Sequence, residues 1–177
     1  MQDVQNEIIP ISIEKNINHL RVVSYNTLNE GLDDNNRIDN FRRIITALSP
    51  DVVTFNESDV SSNYAENLFE DWMGGNWYAT RFDNSRNLTV SRYPFIASYS
   101  ISSRTIAAVI DLPDQLYDTD FLSINFHAPC CDNDGWRQDE CDRIISFVSE
   151  FKSGVYSEIT NGMPYAISGD FNFVGFG

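Results

Sequence analysis

Lysine is nearly absent from this chain. Only Lys15 and Lys152 stand among 12 basic side chains, against 26 acidic ones, for a formal net charge of −14. This argues against non-specific nucleic-acid contact through a broad basic face, because phosphate contacts need Lys and Arg in numbers. A nucleic-acid enzyme is not excluded, since a carboxylate-lined site holding a divalent cation is locally positive whatever the global sign. Histidine is as scarce, at His19 and His127. Zinc, which favours His and Cys ligands at tight spacing, finds no such set. Long apolar runs are missing too, so no segment approaches the ~20 residues of a transmembrane helix. The opening "MQDVQNEIIPISIEKN" has neither the basic start nor the apolar stretch of a signal peptide.

What is there reads as one globular domain. The chain has 177 residues, 42% of them hydrophobic and 13% aromatic, enough for a core and too apolar for disorder. Repeats and low-complexity linkers are absent. Cys130, Cys131 and Cys141 leave at least one thiol unpaired within the chain. A bridge from Cys141 to Cys130 or Cys131 and three free thiols both remain open. Low lysine, acidity and a potential disulfide favour a secreted or periplasmic setting over a cytoplasmic one.

Residues 1–19 read as an irregular arm and 20–177 as the domain. "LRVVSYNTL" and "DVVTFNES" are β-branched and apolar, as in buried strands, and the helical spacing of Ile38, Phe41, Ile44, Ile45 and Leu48 lies between them. Ser49-Pro50 should end that helix, because the residue before proline is pushed out of the α region. A second helix follows over Tyr64–Met73, closed by Gly74-Gly75. Strands are expected at "WYATRF", "NLTVSRY", "FIASYSIS", "TIAAVIDL" and "DFLSINFHA". A third helix, "WRQDECDRIISFVSEFKS", should bury Trp136, Cys141, Ile144, Ile145, Val148 and Phe151, and "PYAISGDFNF" is the last strand. Strand–helix–strand order with short connections predicts a layered α/β fold.

Polar residues close several of these strands: Asn26 after "VVSY", Glu57 after "DVVTFN", His127 after "FLSINF", and Asp170 with Asn172 after "YAISG". In sheet-based α/β proteins ligands gather where strands end. Each residue alone has an ordinary explanation as a turn or cap, but together they suggest phosphate-ester cleavage with a hard cation. Mg²⁺ takes oxygen ligands and keeps several waters, so one or two carboxylates suffice. Glu57 fits the metal, Asp170 can orient or deprotonate the attacking water, and His127 can donate to the phosphate as charge develops. Asn26 and Asn172 are neutral donors for phosphate oxygens.

"LRVVSYNTL", "LSPDVVTFNES", "LTVSRYPF", "FLSINFHAP" and "YAISGDFN", in that order, resemble the endonuclease/exonuclease/phosphatase superfamily, which includes deoxyribonuclease I. The resemblance runs from about Leu20 to Asn172. It implies a four-layer α/β/β/α sandwich, two sheets face to face with helices outside. It implies phosphate binding by Asn26 and, on a looser match, by Arg104 in "SSRTIAAVIDL". It implies metal binding by Glu57, preceded here by Asn56 where the family often has Gln, and catalysis by His127, Asp170 and Asn172. The cofactor it implies is Mg²⁺, or Mn²⁺ or Ca²⁺. Family members continue past "GDFN" to a closing aspartate–histidine pair, so the chain is expected to be the N-terminal portion of the domain.

The function expected is a divalent-metal-dependent phosphodiester hydrolase acting on DNA or RNA. A phospholipid or small-phosphoester hydrolase and a non-catalytic fragment that binds a partner are the alternatives. No protein partner is inferable. Two other features carry less. "CCDNDGWRQDE" fails as an EF-hand loop: Gly135 at the sixth position puts Cys130 and Cys141 where carboxylates belong. Trp72, Trp77 and Tyr78 offer a substrate wall or, more ordinarily, core.

Overall fold

The computed structural model describes residues 14–29 and 31–173. Most of the expected arm, residues 1–13, lies outside the described residues. Its last part is tied down: Lys15 pairs with the buried carboxylate of Asp51, which also accepts from Arg21 N at 2.8 Å.

Among the described residues there are eight strands and three helices. They run β1 (Val22–Asn26), α1 (Ile38–Leu48), β2 (Val52–Asn56), α2 (Ser62–Met73), β3 (Tyr78–Thr80), β4 (Leu88–Ser91), β5 (Phe95–Ser102), β6 (Thr105–Ile110), β7 (Phe121–His127), α3 (Asp134–Lys152) and β8 (Tyr165–Asp170). The helix ends have local causes. Ser49 takes φ 45°, ψ 58° and its N–H reaches Ile45 O, closing α1 ahead of Pro50. Ser61 caps α2 by accepting from Tyr64 N at 3.1 Å, so that helix starts earlier than its apolar pattern suggests.

One sheet has the order β1-β2-β4-β3 and the other β5-β6-β7-β8. The parallel pairs, β1 with β2 and β7 with β8, are each joined through a helix, α1 and α3. Such crossovers put the helix on one face of the sheet. Val53 and Phe55 of β2 pack with Phe41 and Ile45 of α1 and Phe69 of α2; Leu122 and Ile124 of β7 pack with Phe147 and Phe151 of α3. The other faces meet. Val52, Ile110 and Phe121 form an apolar cluster between the sheets, and Thr54 Oγ1 lies 2.9 Å from Ser168 Oγ. The result is the expected α/β/β/α sandwich.

One expectation changes. On α3, Trp136 is 62% exposed and Ile145 65%, while Arg137 and Phe147 are buried instead. Arg137 Nη1 donates to Pro129 O and Cys131 O at 2.9 and 2.7 Å, fixing the start of the helix to the loop after β7. The three cysteines are free. Trp77 is core, 2% exposed.

Candidate functional site

Period-two alternation builds the ground beneath the site. On β2, Val52, Thr54 and Asn56 face the opposite sheet, and on β7 Phe121, Ser123 and Asn125 do the same. Along both strands these inward positions pass from apolar to polar toward the C-terminal ends. Asn56 Nδ2 donates to Asn125 Oδ1 at 2.8 Å and to Asn87 Oδ1 at 3.1 Å. Asn125 Nδ2 returns to Phe55 O and Leu88 O, each at 3.1 Å, and Asn87 Nδ2 to Arg104 O at 2.7 Å. All three amides are buried, and Asn56 Oδ1 accepts the Asp170 N–H at 2.8 Å. A buried network with each member paired rigidifies its surroundings, and this one joins the sheets directly below the strand ends.

Asn26, Glu57, His127 and Asp170 meet above it. Asn26 Nδ2 donates to Glu57 Oε1 and to Asp170 Oδ2, each at 3.0 Å, and its Oδ1 accepts from Leu28 N at 2.9 Å. Glu57 Oε2 accepts from Asn29 N at 2.9 Å, and His127 Nε2 lies 3.7 Å from Glu57 Oε1. Several of these residues leave ordinary backbone space: Leu28 (φ 49°), Asn29 (φ 52°), Glu57 (φ 59°) and Asn172 (φ 46°). Non-glycine residues at positive φ are uncommon and cluster at functional sites. Asn172 is directed inward. Its N–H bonds Asp170 Oδ1 at 2.9 Å and its Nδ2 bonds Ala128 O at 2.8 Å, tying the last turn to the loop after His127.

Charges at the site oppose one another. Burial pushes the Glu57 carboxyl up, but the Asn26 and Asn29 hydrogen bonds and the nearby His127 and Arg86 outweigh it and hold it below the usual value. Burial pushes His127 down, Glu57 pulls it up, Arg104 pushes it down again, and the net shift is downward. Arg104 and His127 line one pocket with Arg86 and Asn87.

The two carboxylates facing one amide are hard oxygen donors, the type that Mg²⁺ accepts in ones or twos while keeping its waters. Among the described residues no three His, Cys, Asp or Glu side chains cluster as a closed protein cage would. Sequence reasoning finds Asn26, Glu57, Arg104, His127, Asp170 and Asn172, all at this end of the sandwich. It misses the support: Asn87, Asn125 and Arg86. The signal for Asn125 was an amide at an inward position of an otherwise apolar strand.

A model of the endonuclease/exonuclease/phosphatase family matches residues 16–176. No curated protein sequence matches the chain. Among solved structures, the human Nocturnin catalytic domain with bound sulfate superposes with a TM-score of 0.69 at 16% identity, over 87% of this chain and 65% of that one. A mannosyl-6-phosphatase of Bacteroides thetaiotaomicron VPI-5482 gives 0.63 at 15%, over 87% and 66%. D. rerio TDP2 complexed with single-strand DNA product gives 0.58 at 17%, over 88% and 62%. At these identities the likeness is one of fold, and the chain spans less than two thirds of the length of each of these structures.

Proposed function

The chain belongs to the endonuclease/exonuclease/phosphatase family, and from that membership and the site's geometry we propose that it is a divalent-metal-dependent phosphodiester hydrolase with a nucleic-acid substrate. One observation carries the reading. Glu57 from one sheet and Asp170 from the other share the amide of Asn26 at 3.0 Å each, which draws two negative groups into one small volume. Like charges held this close favour a cation between them.

Glu57 and Asp170 are the residues that would hold Mg²⁺ or Mn²⁺. The bound ion supplies Lewis-acid stabilisation of charge on the phosphoryl oxygens. Glu57, held below the usual carboxylate range, is ionised at neutral pH and ready to bind the ion. Asp170 orients the attacking water and accepts its proton. His127, shifted toward its neutral form, donates a hydrogen bond to a phosphate oxygen from its ring N–H. Arg104 adds fixed positive charge on the same side. Asn26 keeps the two carboxylates in register by donating to both. Asn172 holds the loop after His127 through Ala128 O.

The test is hydrolysis of bis(p-nitrophenyl) phosphate and of oligonucleotides with Mg²⁺ or Mn²⁺. EDTA should abolish turnover, and Asp170→Ala should lower it by about 10²- to 10⁴-fold with the circular dichroism spectrum unchanged. Turnover that survives both in a folded chain would refute the proposal. The net charge of −14 favours a second reading, a hydrolase of small phosphoesters. It predicts faster cleavage of a sugar phosphate than of an oligonucleotide.

A further inference from the structure

Trp136 is used neither by the core nor by the chemistry proposed above. It lies in the first turn of α3, yet its ring is 62% exposed. Its neighbour Arg137 is buried and clamps that turn to Pro129 O and Cys131 O. The backbone that carries the indole is therefore anchored to the loop that follows His127. It lines a pocket of about 230 Å³ with Arg104, Pro129, Asp139, Glu140 and Arg143. A second pocket of about 220 Å³ contains Arg86, Arg104 and His127, and Ser103 and Arg104 belong to both. Ser103 and Arg104 separate and line both, so the pockets lie side by side, with His127 in one and Trp136 in the other.

Arg104 and Arg143 share the Trp136 pocket and Arg86 lines the adjoining one, in a protein that carries 26 acidic side chains. Arg86 bonds Asp59 Oδ2 at 3.1 Å and Arg143 lies 3.9 Å from Glu140 Oε1, each through Nε. Guanidinium groups match phosphate oxygens in a fixed fork geometry, and an indole face takes a nucleobase in a stack. Asp139, at the same wall, is an acceptor for an exocyclic amino group on a base edge. An acyl chain would need a continuous apolar surface, and these pockets offer only Trp136 and Pro129. Bases of a duplex are already stacked on one another, so a free ring face selects unpaired nucleotides.

We infer that the two adjoining pockets bind single-stranded nucleic acid, with one base on Trp136 and flanking phosphates at Arg86, Arg104 and Arg143. The inference rests on the hydrolase reading only in placing the scissile phosphate at the His127 end. Binding is tested without turnover, in EDTA, using the full chain. Affinity for a labelled oligothymidylate is read by anisotropy. Tryptophan emission is followed as unlabelled oligothymidylate is added. Trp77 is in the core and Trp72 is partly buried against it, so the quenching that is lost in Trp136→Ala reports Trp136.

Trp136→Ala should abolish the quenching and weaken binding about 5- to 150-fold, and Trp136→Phe should keep most of the affinity. Trp136→Ala binding like the wild type, a duplex binding as tightly as the single strand, or no binding by the wild type would each overturn the inference. Hydrolysis of bis(p-nitrophenyl) phosphate by the wild type is measured alongside. Oligonucleotide binding without that turnover sinks the hydrolase reading alone. Turnover without oligonucleotide binding sinks the binding inference alone.

Discussion

Burial lowers His127 while Glu57 and His127 favour each other's charged forms, and both net shifts have consequences in the metal-free chain. His127 is lowered below its ordinary 6.5, so the unfolded chain takes up the proton first as pH falls. Its contribution to stability is complete above 6.5 and is lost from there downward, until the folded ring also protonates. Glu57 is likewise lowered from 4.5, so its contribution holds above that value and is lost as pH drops through the folded one. Acidification should thus cost stability in two windows, a His127 window opening below 6.5 and a Glu57 window below 4.5. Urea unfolding across pH measures both. An NMR titration of the His127 ring should give a midpoint under 6.5. Glu57→Gln should lower it further, because the Glu57 carboxylate is the largest influence raising it. A midpoint that rises in Glu57→Gln would contradict the arrangement seen here.

Strands deliver these residues, and two strand positions tolerate little change. Gly169 has φ 140°, and a Cβ there would meet Phe126 O of the paired strand at 1.7 Å. Gly169→Ala must both strain the backbone and part β8 from β7, at a cost of about 2–6 kcal/mol, read as a lower midpoint in urea. Asn56→Ala would leave Asn87 Oδ1, Asn125 Oδ1 and the Asp170 N–H without their partner, costing about 3 kcal/mol or more, and hydrolysis should fall as Asp170 loses its anchor. The strands were legible in sequence because they are apolar, β-branched and end in polar residues. The third helix was legible as a helix, but not its buried side. Ile144, Phe147, Val148 and Phe151 form one row at helical spacing, and Ile145 lies about 100° off it. A count of apolar residues does not fix where that row points. Arg137 anchors the start of the helix through Pro129 O and Cys131 O in the loop just before it, a contact that a count of apolar residues does not reveal. The Asn56–Asn87–Asn125 network was hidden for a different reason: its partners are far apart in sequence and come from both sheets.

At the scale of the whole molecule, charge decides how a polyanion is met. A chain at −14 repels phosphates at long range, while Arg86, Arg104 and Arg143 attract them at two adjoining pockets. Long-range repulsion is screened by salt more readily than contacts between touching groups. Three phosphate contacts release few counterions, so oligonucleotide affinity should fall with a log–log salt slope of about −2, at roughly 0.7 per contact for single strands. Screening of the global negative charge acts in the other direction and flattens the slope further. Arg86→Gln should remove one contact and make the slope shallower by about 0.7. Affinities measured between about 50 and 200 mM salt, the range over which basic binders lose several orders of magnitude, give the slope directly. A slope of about −5 or steeper would require more cationic contacts than the two pockets have and would move the bound strand to another face.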